Sequence, residues 1–183
     1  MKNDLIQLHD KQFKKFISRE QIHEAVQRLG AQITHDYNAN EVVFVVVLKG
    51  SIVFATDLIR EVNLPCTLEF IRAESYGAGL HSSGNVKVAH YTGLDLAGKH
   101  VIVLEDIVDT GLTIKQLLIH LQEMKPASLK VATLFLKPEV CKGTVETHYV
   151  GFEISPLFIV GYGLDYNEIG RNLADVYILH EAP

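Results

Sequence analysis

The 183-residue chain carries only two cysteines, Cys66 and Cys141, and no C-x-x-C pair, so neither a disulfide framework nor a thiolate metal site is expected. Both read as ordinary packing residues in a reducing compartment. The nine histidines are scattered and no H-E-x-x-H occurs, which removes the metalloprotease motif. Positive charge is in deficit: 17 Lys and Arg face 22 Asp and Glu, a net charge of −5. Nucleic acids and anionic membranes are bound through dense Lys and Arg, so neither is expected as a partner. Long apolar runs are missing too. VVFVVVL at 42–48 falls far short of the roughly 18 residues that cross a bilayer, and MKNDLIQLHD at the N-terminus lacks the apolar centre of a secretory signal. With 48% hydrophobic and 21% charged residues, and no linker or repeat, disorder is excluded, and one globular domain of cytoplasmic location is expected.

What is present is a repeating alternation of helical and strand patterns. SREQIHEAVQRLGAQI opens with a capping box from Ser18 to Gln21 and repeats apolar residues at Ile22, Val26, Leu29 and Ile33, predicting an amphipathic helix. EVVFVVVLKGS follows as a buried strand ending in a glycine turn. IVFATDLIREV is then a helix with Ile52, Ala55, Leu58, Ile59 and Val62 on one side, and CTLEFIR is the next strand. Further on, HVIVLEDIV reads as a strand, LTIKQLLIHLQEM as a helix closed by Pro126, and LKVATLFLK as a strand. Continuous apolar strands between helices predict an α/β fold with a mostly parallel twisted sheet and helices on both faces. Between these units, residues 73–85, AESYGAGLHSSGN, are rich in Gly and Ser and lack an apolar period, which predicts a mobile lid loop. With VKVAHY as a strand behind it, the loop and its flanks suit a protruding hairpin. The last third is broken by Gly and Pro and reads as short strands and loops.

Two phosphate-loop patterns fail on position. GLDLAGK at 93–99 fits G-x-x-x-x-G-K but has His100 where Ser or Thr would hold Mg²⁺, and it precedes a strand instead of following one. GYGLDY at 161–166 starts like a dinucleotide fingerprint but has Tyr166 at the third glycine position. VIVLEDIVDTGLT at 101–113 is different. It runs from a strand into a helix, at the sheet edge where parallel folds bind ligands. Asp109, Thr110, Gly111 and Thr113 offer a tight turn whose amides and hydroxyls can converge on an anion at the positive end of the helix. A plain helix cap from Asp109 or Thr110 would explain one of these residues. It leaves Glu105 and Asp106 unexplained, because unpaired carboxylates at a buried strand cost several kcal/mol. Paired acids there suggest polyhydroxyl or metal contacts.

This segment resembles the phosphoribosyl-pyrophosphate (PRPP) signature of the type I phosphoribosyltransferases: an apolar strand, two acids, two apolar residues, Asp, a hydroxyl residue, Gly, any residue, Thr. The resemblance implies that Glu105 and Asp106 bind the ribose hydroxyls, either also reaching metal through ribose or water, and that Asp109, Thr110, Gly111, Leu112 and Thr113 hold the 5′-phosphate. Other segments are similar to the 6-oxopurine branch, the hypoxanthine-guanine phosphoribosyltransferases. LKGS at 48–51 resembles its pyrophosphate loop, which implies pyrophosphate contacts from Lys49 and Gly50 and a cis peptide between them. SYG at 75–77 resembles its lid, with Ser75 and Tyr76 closing over the site, and LFLK places Lys137 as the contact to the purine 6-oxo group. FIVGYGLDYNEIGRNL resembles its base-binding segment, implying that Phe158 stacks on the purine, Ile159 offers backbone contacts, Asp165 serves Mg²⁺ and Arg171 reaches pyrophosphate. Taken singly, Lys137, Tyr76 and Phe158 would pass for a solvated lysine, a packing tyrosine and a core phenylalanine; their common order is what speaks for function.

The resemblance further implies a core at about 36–155, a hood built from about 1–17 and 156–183, and a homodimer or homotetramer. The activity it implies is transfer of the 5-phosphoribosyl group from PRPP to N9 of hypoxanthine or guanine, giving IMP or GMP and pyrophosphate, with Mg²⁺ and with Asp109 as general base. The rival from another class, a PRPP-sensing regulator that binds nucleic acid, would need a basic face that the charge balance does not provide.

Overall fold

The computed structural model describes residues 5–75, 86–89 and 94–180, with only the backbone of 73–75 and 86–89. In chain order the elements are β1 (Leu5–Leu8), β2 (Lys11–Ile17), α1 (Arg19–Tyr37), β3 (Val42–Leu48), α2 (Ile52–Glu61), β4 (Cys66–Ser75), β5 (Val86–Ala89), β6 (His100–Val108), α3 (Leu112–Glu123), β7 (Ser128–Leu136), α4 (Pro138–Cys141), β8 (Tyr149–Glu153), β9 (Ile159–Val160) and β10 (Val176–Leu179).

Six strands form one sheet in the order β5-β4-β3-β6-β7-β8. All pairs are parallel except β4 with β5, which run antiparallel from Arg72 opposite Ala89 to Ser75 opposite Val86. The strands read as continuous apolar runs because both faces are covered. On one face, Phe44, Val46, Ile102 and Leu104 pack with Ile22, Val26, Leu29 and Ile33 of α1 and Phe54, Ala55 and Leu58 of α2. On the other, Val43, Val45, Val101 and Val103 pack with Ile114, Leu117 and Leu121 of α3.

The capping box of α1 forms as predicted, with Ser18 Oγ accepting from the Gln21 amide and the Gln21 side chain accepting from the Ser18 amide. The helix runs one turn beyond its predicted end because Tyr37 continues the buried stripe of Ile22, Val26, Leu29 and Ile33. For α2 the predicted face is corrected. Phe54, Ala55 and Leu58 are buried, whereas Ile52 is 46% exposed, because the core-facing stripe of α2 runs through Phe54 in its place. A further strand also emerges from the last third. β8 joins the sheet as its fifth parallel strand, with Ala132 opposite Tyr149 and Leu136 opposite Glu153. Its connection through the short α4 hid the βαβ pattern.

A second sheet, β1-β2-β10-β9, is antiparallel and is assembled from the two ends of the sequence. It buries Phe13, Val160 and Tyr177 in a small cluster of its own. Of the expected lid, Ser75 ends β4, while Tyr76 and residues 77–85 lie outside the described residues. Among the described residues, no helix is long and apolar enough to cross a membrane.

Candidate active site

β6 delivers its acids to the carboxyl edge of the sheet, one to each face, because neighbouring strand residues point opposite ways. Glu105 follows Val101 and Val103 to the α3 side, and Asp106 follows Ile102 and Leu104 to the α1 and α2 side. Glu105 borders a cleft of about 90 Å³ with Asp109, Thr110, Gly111 and Thr113. Its Oε2 is sealed from solvent and has no hydrogen-bond partner. Burial, reinforced by the Asp106 charge, holds the Glu105 carboxyl well above the usual carboxylate range. Gly111 is in the left-handed conformation at φ 76° and starts α3 without any side-chain cap. The plain capping reading of Asp109 and Thr110 therefore fails; the nearest approach is Thr110 Oγ1 accepting from the Leu112 amide at 3.4 Å. The Asp109 side chain is about half exposed and accepts from Lys137 Nζ at 2.8 Å. Lys137, read alone as a solvated strand-end lysine, is 9% exposed; its amide bonds to the Val108 carbonyl and its Nζ to Asp109.

On the opposite face the Asp106 carboxyl is pushed up to about 6 by burial; Arg171 lowers it and Asp165 raises it, and the Ile107 amide donates to its Oδ1 at 2.9 Å. Against it lies the turn after β3. A β-carbon at Gly50 would stand 1.7 Å from Asp106 Oδ2, so only glycine fits. Gly163 lies on the other side of the same turn, at φ 97°, and its β-carbon would come 2.1 Å from the Gly50 carbonyl oxygen. The Gly163 carbonyl in turn accepts from Arg171 Nη1 at 2.8 Å, while Arg171 Nη2 meets Asp165 Oδ1 at 2.6 Å. Asp165 Oδ2 accepts from the Glu168 amide at 2.8 Å, and the Glu168 carboxylate holds Lys49 Nζ at 3.0 Å. The cis peptide of this region is Leu48–Lys49, one bond earlier than expected, at the junction of β3 and the turn.

Phe158 is 47% exposed and rests on Tyr166 edge-to-face, at 5.9 Å between ring centres. Next to it, Ile159 is buried and sits on the edge strand β9, opposite Ile178. Because the Leu179 amide bonds to the Phe158 carbonyl, strand alternation turns the Ile159 amide and carbonyl away from β10, toward the open edge.

Thus a continuous chain of contacts links Lys49, Glu168, Asp165, Arg171, Gly163, Gly50 and Asp106, and a second links Lys137 to Asp109 beside Glu105. Leu112 is 40% exposed and its side chain does not line the cleft. Ser75 and Tyr76 cannot be placed against the site from the described residues. Sequence reasoning missed Gly163, Tyr166 and Glu168, although all three lie in GYGLDYNE; the G-x-G there was a signal of close backbone approach and not of a dinucleotide. A larger cavity of about 330 Å³, between α1, α2 and residues 171–174, shares only Arg171 with these residues. Its charged walls are already matched, Asp57 by the Tyr162 hydroxyl at 2.6 Å and Arg19 by Glu20 at 2.8 Å.

Mg²⁺ is held in enzymes by one or two carboxylates together with substrate phosphates, seldom by an all-protein cage. The residues fit that habit. Among the described residues no three carboxylate, His or Cys side chains gather as a metal cluster, but Glu105, whose Oε2 is unpartnered at the border of the cleft, and the part-exposed Asp165 carboxylate are hard oxygen donors.

Residues 18–167 match the family described as "Phosphoribosyl transferase domain". The chain is 40% identical over 168 residues to a hypoxanthine-guanine phosphoribosyltransferase of Streptococcus pneumoniae, covering 92% of this chain and 93% of that one. It is 41% identical over 160 residues to a hypoxanthine phosphoribosyltransferase of Haemophilus influenzae, covering 86% and 89%. Among solved structures, a hypoxanthine-guanine phosphoribosyltransferase of Bacillus anthracis superposes with a TM-score of 0.85 at 45% identity, covering 90% of this chain and 97% of that one. A hypoxanthine phosphoribosyltransferase of Staphylococcus aureus gives 0.87 at 38% identity, covering 97% and 93%. The strand-to-helix turn with its paired acids, the sheet order around it and these likenesses agree: the chain belongs to the phosphoribosyl transferase domain family, among its hypoxanthine-guanine members.

Proposed function

We propose that this transferase moves the 5-phosphoribosyl group from PRPP to N9 of hypoxanthine or guanine, releasing IMP or GMP and pyrophosphate in purine salvage. The observation that carries the reading is the solvent-sealed, unpartnered Glu105 oxygen beside the Asp109–Thr113 turn, a pairing of hydroxyl acceptor and anion cradle that suits ribose 5-phosphate.

The turn amides and Thr110 and Thr113 hydroxyls hold the 5′-phosphate, while Glu105 and Asp106 hold the ribose hydroxyls. Asp109 takes up the purine N7 proton as general base, and Lys137, bonded to it at 2.8 Å, swings to the 6-oxo group and leaves the carboxylate free. Phe158 stacks on the purine and the outward Ile159 amide and carbonyl read its edge. Lys49, the Gly50 amide and Arg171 neutralise the departing pyrophosphate, and closure of Ser75 and Tyr76 excludes water. Asp165, and Glu105 and Asp106 through ribose or water, would hold Mg²⁺, which supplies charge neutralisation of pyrophosphate. The enzyme works in the cytoplasm as a homodimer or homotetramer; Leu68 and Phe70, which alternate onto one face of β4 and are 37% and 39% exposed, support an association surface.

The test is an ultraviolet assay of purified protein with PRPP and Mg²⁺, offering hypoxanthine, guanine, xanthine, adenine and uracil separately. Rapid nucleotide formation with hypoxanthine or guanine, lost on adding a chelator, is the expected result. PRPP binding without turnover of any base would sink the proposal. Sedimentation of the same sample reads the oligomer, and a monomer at micromolar concentration would remove the β4 surface.

A further inference from the structure

One loop, residues 165–171, carries the candidate metal ligand Asp165, the partner of Lys49 and the pyrophosphate residue Arg171, and its Tyr166 backs Phe158. Besides its contacts to the turn after β3, this loop is held by the N-terminal hairpin. The Tyr166 hydroxyl donates to Asp10 Oδ1 at 2.8 Å, in the turn between β1 and β2. His9 of the same turn reaches the Asn167 carbonyl through Nε2 at 3.1 Å, and its ring meets Tyr166 edge-on at 5.8 Å. The Tyr166 ring is further enclosed by Phe13 at 5.9 Å and by Lys11, whose Nζ lies 5.5 Å from the ring centre. Phe13 also lies 6.2 Å from Phe158, so the tyrosine is held on one side by the hairpin and supports Phe158 on another.

Resting on the purine-stacking role of Phe158 proposed above, we propose that Asp10 and Tyr166 are positioning residues for purine binding. The N-terminal hairpin clamps Tyr166 through Asp10, and the clamped ring fixes the plane on which Phe158 receives the base. Neither residue touches the reacting atoms. Asp10 is exposed and its carboxylate has no fold-wide packing role, so its bond to Tyr166 is separable from the core. The bond perturbs both groups as a charge-assisted contact does: it draws the Asp10 carboxyl below its ordinary value and raises the Tyr166 hydroxyl.

The experiment measures kcat, the KM for hypoxanthine, the KM for PRPP and the Tm of Asp10→Ala, Asp10→Asn, Tyr166→Phe and the Asp10→Ala/Tyr166→Phe double variant. Loss of one such hydrogen bond is expected to raise the hypoxanthine KM by about three- to tenfold in Asp10→Ala and in Tyr166→Phe. The double variant should be no worse than either single one, since both remove the same bond. Asp10→Asn should remain near the parent, because its amide oxygen still accepts, and kcat and the PRPP KM should stay within about twofold throughout. An unchanged hypoxanthine KM in Asp10→Ala, or a parallel rise of both KM values with a falling Tm, overturns the inference. Phe158→Ala separates it from the reading beneath it. If Phe158→Ala raises the hypoxanthine KM and Asp10→Ala does not, only the clamp is wrong; if Phe158→Ala leaves that KM unchanged, the stacking role and the clamp fall together.

Discussion

Gly50 leaves no room for a side chain because Asp106 occupies it: the nearest carboxylate oxygen lies 1.7 Å from where a β-carbon would stand. The turn after β3 and the end of β6 are thereby locked together, and Gly163 completes the stack from the other side with its own 2.1 Å approach to the Gly50 carbonyl.

Gly50→Ala is expected to displace the buried Asp106 carboxylate, and Gly163→Ala to displace backbone while forcing an unfavourable φ. Overpacking of this kind costs about 1–3 kcal/mol, with the glycine at φ 97° at the upper end. Thermal melts should rank the parent above Gly50→Ala and Gly50→Ala above Gly163→Ala, and the PRPP KM should rise in both. Parent-like KM values would separate this stack from pyrophosphate binding.

Asp106 makes stability depend on pH with a definite sign. Its folded value of about 6 lies above the ordinary 3.8, so between those values the folded state binds more protons than the unfolded one. Its stabilising contribution is full below pH 4 and is lost as pH rises through 6. A difference of that size corresponds to about 3 kcal/mol. Asp106→Asn, which keeps the acceptor for the Ile107 amide, should therefore match the parent at pH 4 and exceed it by up to about 3 kcal/mol at pH 8 in urea unfolding without ligand. Equal stability at both pH values would show that Asp106 titrates normally.

Asp109→Asn should lower kcat by about 10²-fold or more while the PRPP KM changes little, because the amide cannot accept the N7 proton. Lys137→Gln should instead raise the purine KM, since the lysine is proposed to move from Asp109 to the base. Single-turnover measurements on both variants check the division, and an unaltered chemical step in Asp109→Asn removes it as general base.

Lys49 and Glu168 form an exposed ion pair at 3.0 Å. Glu168→Gln should free Lys49 and lower the PRPP KM, by no more than about fivefold because such pairs are weak in water. The Tm should not move. A raised PRPP KM would mean that Glu168 helps to place Lys49 instead of competing for it.

Much of the architecture is legible in the sequence itself. VVFVVVL and VIVLEDIV could only be strands covered on both faces, and the Ser18–Gln21 box announced its helix because both signals act within a few residues. LEDIVDTGLT likewise declared a strand-to-helix turn with acids that a core would reject. The α2 stripe was misjudged at Ile52, and the place of β8 in the parallel sheet was not foreseen although short strands were expected there, because both depend on where other elements lie.

The local pattern of LEDIVDTGLT was enough to nominate Glu105, Asp106 and Asp109, whereas Lys137, Phe158, Asp165 and Arg171 were nominated only through the family resemblance that their common order carries. Tertiary structure alone decided how they meet. Strand geometry sent Glu105 and Asp106 to opposite faces, Gly50 and Gly163 became contacts through residues more than fifty positions apart, and Lys137 found Asp109 only when β6 and β7 paired. The part played by Asp10 beside Tyr166 had no sequence signal at all. Periodicity and capping report interactions within one or two turns of chain, whereas these contacts arise when distant segments fold onto the same edge of a sheet.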